Sequence, residues 1–152
     1  MLRFIFVLSC IFFLGCDKSG QQDLAPQLEG SWRLISGTII QGDDTTITDY
    51  TRNQRMIKII NKSHFAFLSH DLNNGKDSTA SFTAGGGIYI LNGDEYTEYL
   101  EFCNARDWEG HTFQFTVSFE GNDTLVQQGV EKIEEIGVDR YNIERYARLK
   151  EE

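Results

Sequence analysis

Cys103 and His111 are the two side chains of this sequence whose types best fit nucleophilic chemistry. They flank the loop 104–110, so the ends of two neighbouring strands could bring a thiol beside an imidazole. A nucleophile and its base also need an orienting group and an oxyanion hole, and the sequence has no marker for either. Free cysteine is most often a small core residue. We therefore predict a protein without catalytic residues.

The spacing of other candidate ligands does not favour a metal or phosphate site. His64 and His70 share a face if they lie on one strand, but six residues of strand separate them by about 20 Å. Asp43 and Asp44 lack the alternating oxygen ligands and the glycine turn of a calcium loop. The glycine run 85–87 is not followed by the Lys-Ser or Lys-Thr of a phosphate loop, so it predicts a bend or bulge within a strand. We expect no metal and no cofactor.

The composition narrows the class of protein. The chain has 152 residues, with 23 acidic and 14 basic side chains and a formal net charge of −9. This length fits one domain. An acidic chain without a basic run repels a phosphate backbone, so we predict no nucleic-acid partner.

The first 15 residues are mostly apolar and carry one charge, Arg3. Their uncharged run, 4–14, is too short to cross a hydrocarbon core of about 30 Å as a helix, but it suits a secretion signal. Phe13-Leu14-Gly15-Cys16 resembles the cleavage box of a bacterial lipoprotein signal, in which the cysteine receives the lipid. The resemblance implies a signal peptide at 1–15, lipidation of Cys16 and a tether over 16–28. An ordinary cleaved signal and an uncleaved membrane anchor stay open as alternatives.

The same resemblance implies a place in the cell envelope. A lipid on Cys16 would hold the domain at a membrane, and we favour the outer membrane. Cleavage would also remove Cys10 and leave Cys103 as the one free thiol, so the mature domain could form no internal disulfide. Its core must be stabilised by packing.

Turn-forming clusters separate short runs that are rich in β-branched and aromatic residues, a pattern typical of hairpin-linked antiparallel strands. Residues 112–120 alternate without exception between apolar and polar side chains. We predict eight strands, at residues 31–40, 55–60, 64–71, 79–91, 95–103, 111–120, 124–131 and 140–149. Eight such strands can close into a barrel and remove the exposed sheet edges. Polar loops are expected at 41–54 and 104–110, and residues 130–136 predict either a helical turn or a bulged strand.

Gly30-Ser31-Trp32 lies at the start of the first predicted strand, and Arg148 lies near the end of the last. These positions resemble the lipocalin signature, in which a tryptophan stacks on an arginine of the final strand at the closed end of the barrel. The mature chain is similar to small lipocalin-like (calycin-type) bacterial lipoproteins. The resemblance implies an all-β, eight-stranded antiparallel up-and-down barrel over 29–152. Trp32 and Arg148 would then be a structural pair.

The aromatic residues indicate what the barrel could hold. A barrel of eight strands is wide enough either to be packed solid or to hold one small ligand. The leading prediction is a monomeric, membrane-anchored barrel that binds a small hydrophobic or amphipathic molecule. The alternative is a non-catalytic envelope interaction or structural lipoprotein with a packed barrel and no ligand. The residues expected to contact a ligand are Phe67, Phe113 and Phe115 inside, and Tyr50, Trp108 and His111 at the mouth.

Lipidation of Cys16 predicts a specific loss of membrane attachment. The Cys16→Ala protein, expressed in a bacterium that processes lipoproteins, should move from the detergent phase to the aqueous phase in a Triton X-114 partition. Cys10→Ala is the matched control and should stay in the detergent phase. If Cys16→Ala also stays there, the lipid is not on Cys16.

Overall fold

The computed structural model describes residues 24–150. The signal peptide predicted at 1–15, the lipidation site Cys16 and the first part of the tether lie outside the described residues. Within residues 24–150 no helix is long and apolar enough to cross a membrane.

Nine antiparallel strands form a single sheet in the described part of the chain. They are β1 (Gly30–Gln41), β2 (Asp44–Asp49), β3 (Gln54–Ile60), β4 (His64–Asp71), β5 (Phe82–Asn92), β6 (Glu95–Cys103), β7 (Thr112–Glu120), β8 (Thr124–Ile133) and β9 (Val138–Arg148). A short helix, α1 (Ala25–Leu28), precedes them. Residues Arg106–Trp108 and Glu134–Ile136 form two 3-10 turns.

The sheet closes on itself. Its order is β2-β1-β3-β4-β5-β6-β7-β8-β9, and β1 also pairs with β9. The paired residues run from Trp32 with Arg148 to Ile40 with Tyr141. Strands β1 and β3 to β9 therefore form a closed eight-stranded barrel in up-and-down order. The predicted all-β antiparallel barrel is confirmed.

Strand β2 corrects the prediction of a polar loop over residues 41–54. It pairs with the second half of β1, through residues 36–41, while the first half of β1 pairs with β3. The run 45–48 is entirely Thr and Ile, which are β-branched and favour strands. Gly42 supplies the positive φ of 59° that the tight turn requires. Acidic residues on both sides of the run give this segment its loop-like composition.

The glycine run 85–87 forms a bulge in β5, one of the two outcomes that the sequence predicts. The pairing of β5 with β6 shifts register between Gly86 and Gly87. A Cβ atom on Gly87 would lie only 1.9 Å from the carbonyl oxygen of Tyr99, and one on Gly86 would lie 2.5 Å from that of Phe65. Only glycine allows the neighbouring backbones to approach this closely. The alternative left open for residues 130–136 is also resolved, because β8 ends at Ile133 and a 3-10 turn follows it.

One end of the barrel is closed by α1, which lies within the segment assigned to the tether. Leu28 and Trp32 are fully buried, and the indole nitrogen of Trp32 donates to the carbonyl of Leu28 at 2.9 Å. The Arg148 guanidinium carbon lies 4.0 Å from the Trp32 ring centroid. Its two terminal nitrogens donate to the carbonyls of Glu29, at 3.0 Å, and Gln27. Arg148 thus joins the last strand, the first strand and the capping helix.

Replacement of Arg148 should therefore loosen the closed end. We expect Arg148→Met to lower the free energy of unfolding by about 1–3 kcal/mol, because it removes the stacked cation and leaves two carbonyls without a donor. Arg145→Met is a suitable control, since Arg145 lies on the same strand but makes a surface ion pair with Glu120 at 3.4 Å. Urea unfolding measures both. Equal losses in the two variants would contradict this role of Arg148.

Candidate ligand-binding cavity

A cavity of about 520 Å³ occupies the barrel from its middle to the end opposite α1. It opens between β2, the start of β3 and the 3-10 turn of residues 106–108, where Thr48, Tyr50, Gln54 and Trp108 line it. Side chains therefore do not fill the interior of the described barrel, and the alternative of a fully packed barrel does not apply to this structure.

The alternation of β9 places a row of polar side chains on the inner wall. Arg140, Asn142, Glu144 and Tyr146 are spaced by two and all line the cavity. The register with β8 sets their neighbours, pairing Arg140 with Glu131, and Glu144 with Gln127. The wall thus carries charged groups from the mouth down to the middle of the barrel.

Lys58 is the centre of a buried polar cluster at the bottom of the cavity. The side chain is 3% exposed, and its ammonium forms an ion pair with Glu98 of β6. It also donates to the side-chain oxygen of Gln127 at 2.7 Å. Three aromatic rings surround the same nitrogen, with their centroids 5.3 to 5.7 Å away: Phe65, Tyr96 and Tyr146. An ammonium is thus held inside this barrel by one carboxylate, one amide and three ring faces.

A second ion pair lies nearer the mouth. Arg140 donates from Nε to Glu131 at 2.6 Å, and Asn142 donates to the other oxygen of Glu131 at 3.1 Å. The guanidinium carbon of Arg140 lies 5.2 Å from the ring centroid of Trp108. These contacts fix Trp108 against the wall and satisfy both oxygens of Glu131.

Glu144 differs from the other two carboxylates that line the cavity. It accepts a hydrogen bond from the Tyr146 hydroxyl at 2.8 Å, and within residues 24–150 no cation lies at ion-pair distance from it. Burial is the main cause that raises the pKa of Glu144. Burial, followed by the charge of Glu144, also raises the pKa of the Tyr146 phenol. Glu144 is therefore the carboxylate whose charge is least compensated by the protein.

The structure brings most of the predicted ligand contacts together. Phe67, Phe113, Phe115, Tyr50 and Trp108 all line the cavity. His111 is not among the lining residues, and its ring lies 6.5 Å from that of Phe113. The side chain of Cys103 is buried and also lines the wall. In the described chain no group of three or more His, Cys, Asp or Glu side chains could hold a metal ion.

Sequence reasoning missed the charged part of the site. Two of its residues carry a recognisable signal, because each charge stands in the middle of an apolar face. Glu98 lies between Tyr96 and Leu100 at a spacing of two, and Lys58 lies in the same way between Met56 and Ile60. The polar row of β9 has no such signal, since alternation alone does not tell which face points inward. The lining residues missed include Lys58, Glu98, Gln127, Glu131, Arg140, Asn142, Glu144 and Tyr146.

The chain was compared with known proteins by sequence and by structure. No protein-family profile and no curated protein matches it. Among solved structures, an uncharacterized protein from Bacteroides eggerthii aligns with a TM-score of 0.45 and 12% sequence identity. The alignment covers 80% of this chain and 98% of that chain. These comparisons assign no function to the chain, and the cavity is the feature that indicates one.

The ion pair of Lys58 and Glu98 should matter most when only one partner is removed. We expect Lys58→Met to cost about 3–5 kcal/mol of unfolding free energy, because it leaves a buried carboxylate without its cation. The double variant Lys58→Met/Glu98→Leu should recover most of this loss, since it replaces both charges with apolar groups. Lys62→Met, in the exposed turn after β3, is the control and should change stability by less than about 0.5 kcal/mol.

Denaturant unfolding of the unmodified protein, the two single variants and the double variant measures these changes in stability. A double variant that is less stable than Lys58→Met alone would show that the buried charges do not act as a compensating pair.

Proposed function

We propose that this protein binds one small amphipathic molecule inside its barrel, while a lipid on Cys16 holds it at a membrane of the cell envelope. One observation carries the proposal: an open cavity in the barrel combines an aromatic wall with a charged, hydrogen-bonded interior. The proposed role is binding without chemistry, in the manner of a carrier.

The size and lining of the cavity support a small ligand. A volume of about 520 Å³ lies within the range of about 300 to 1,000 Å³ that is usual for small-molecule sites. Apolar side chains line much of the wall and offer a surface for a hydrocarbon or ring system, among them Ile39, Met56, Phe67, Leu100 and Phe113. Burial of apolar ligand surface contributes about 25 cal/mol per Å².

The charged groups favour an amphipathic ligand over a wholly apolar one. Lys58, Glu98 and Glu144 lie on the inner wall and would lose any contact with water if a hydrocarbon filled the space beside them. A polar head group at this level would replace that water. The same molecule could place its apolar part against the aromatic residues nearer the mouth.

The closed end supports the proposed lipocalin-like relationship and the position of the anchor. Trp32 and Arg148 stack where the first strand begins and the last strand ends, which is the place expected for the lipocalin pair. Leu24 and α1, which form the last part of the proposed tether, lie at this same end. A lipid on Cys16 would therefore attach to the closed end, and the mouth of the cavity would open away from the point of attachment.

Trp108 should report a ligand in the cavity, while Trp32 should not. The test uses the processed full chain in zwitterionic nanodiscs, titrated separately with n-hexanol, n-hexylamine and n-hexanoate, with empty nanodiscs as the blank. We expect a saturable change in tryptophan emission with one binding site for at least one probe. The change should persist in Trp32→Phe and disappear in Trp108→Phe. If none of the three probes gives a saturable 1:1 signal by fluorescence or calorimetry, the proposed function is wrong.

A further inference from the structure

We infer that the cavity selects a cationic amphiphile, whose ammonium head binds Glu144 and whose apolar part lies against the aromatic wall toward the mouth. The inference rests on the proposed function and names the class of ligand that the same cavity takes.

The charges of the cavity wall do not balance. Among the described residues that line it are two cations, Lys58 and Arg140, and three carboxylates, Glu98, Glu131 and Glu144. Each cation is paired with one carboxylate, Lys58 with Glu98 and Arg140 with Glu131. Glu144 is the carboxylate of this set that is not paired with a cation. One positive charge brought by a ligand would make the lining neutral.

The two cations are already engaged and do not offer a free site for an anion at this depth. Lys58 donates to Glu98 and Gln127 and is surrounded by three rings. Arg140 lies nearer the mouth, bound to Glu131 and stacked near Trp108. An anionic head beside Glu144 would also meet the negative charges of Glu98 and Glu131. A cationic head meets complementary charge from the same groups.

Charged groups on β3, β6 and β8 affect the ionisation of Glu144. Lys58 on β3 favours the ionised form, whereas Glu131 on β8 and Glu98 on β6 oppose it. The Tyr146 hydroxyl on the same strand donates one hydrogen bond to Oε2. Burial is the largest of these effects and raises the pKa of Glu144, so its ionised form is less well stabilised in the barrel than in water. An ammonium at hydrogen-bond distance would supply that missing stabilisation.

The barrel already shows how it holds an ammonium. The Lys58 nitrogen sits within 5.3 to 5.7 Å of three ring centroids while it pairs with a carboxylate. A ligand ammonium at Glu144 would have the same two kinds of neighbour, since the Tyr146 hydroxyl donates to this carboxylate and the Tyr50 ring lies against Gly37, the residue of β1 that pairs with Glu144. The net charge of −9 would also draw cations toward the protein.

The experiment compares three probes of equal chain length that differ in charge: n-hexylamine, n-hexanol and n-hexanoate. Binding to the full chain in zwitterionic nanodiscs is measured by calorimetry and by Trp108 emission at about pH 8, where a primary amine with a pKa near 10.4 stays protonated. We expect hexylamine to bind roughly tenfold or more tightly than hexanol, and hexanoate to bind weakest.

Two matched variants separate the site from general attraction to an acidic protein. Glu144→Gln keeps an acceptor for Tyr146 but removes the charge, and should weaken hexylamine binding by roughly 10- to 100-fold while leaving hexanol binding within about twofold. Glu135→Gln makes the same change in net charge at an exposed position and should leave hexylamine binding unchanged.

The outcomes are distinct. Hexylamine that binds no better than hexanol, or equal losses in Glu144→Gln and Glu135→Gln, would overturn the cationic preference while the ligand-binding function stands. Preference for hexanoate would reverse the inferred sign of the head group. Failure of all three probes to bind would instead remove the proposed function on which the inference rests.

Discussion

The pairing of β1 with β9 is the contact on which the rest of the structure depends. It joins the first and last strands from Trp32 and Arg148 to Ile40 and Tyr141, and it turns an open sheet into a closed barrel. Closure gives every barrel strand a partner on both sides and creates a single interior. It also brings Arg148 over Trp32 at one end and places Glu144 and Arg140 on the wall of the cavity. Without this pairing neither the capped end nor the cavity would exist.

The interior shows a conflict between stability and function. Burial of charge is unfavourable, and replacement of a buried ion pair by apolar side chains is often neutral or stabilising. This barrel nevertheless buries Lys58 with Glu98, and its wall also carries Glu144, a carboxylate that is not paired with a cation among the described residues. A packed apolar core would serve a purely structural barrel better. An interior that holds uncompensated charge beside an open space is most useful if a ligand completes it, and this is the physical basis of the proposed binding.

Much of the fold follows from local patterns, whereas the charged part of the site does not. The alternation of Phe113 and Phe115 with polar residues predicts a strand with one buried face, and both rings do line the interior. β2 was missed because its β-branched run is short and flanked by acidic residues. Lys58 and Glu98 were also missed, because they are 40 positions apart in sequence and form a buried pair only in the folded barrel. Charged side chains favour exposed positions, and only the pairing of distant strands makes their burial possible here.

The sequence by itself determined the eight strands of the barrel, most of their turns and the apolar faces that must be covered, because these depend on side-chain type, alternation and glycine at close positions. Its leader pattern also predicts the attachment at Cys16, which the described residues do not reach. Only the tertiary structure decided that the barrel is hollow and that its interior carries charge. The physical reason is that the partners of Lys58 on the inner wall, Glu98 and Gln127, are 40 and 69 positions away in the chain. The grouping of these side chains, and the open space beside them, exist only after β1 and β9 have closed the barrel.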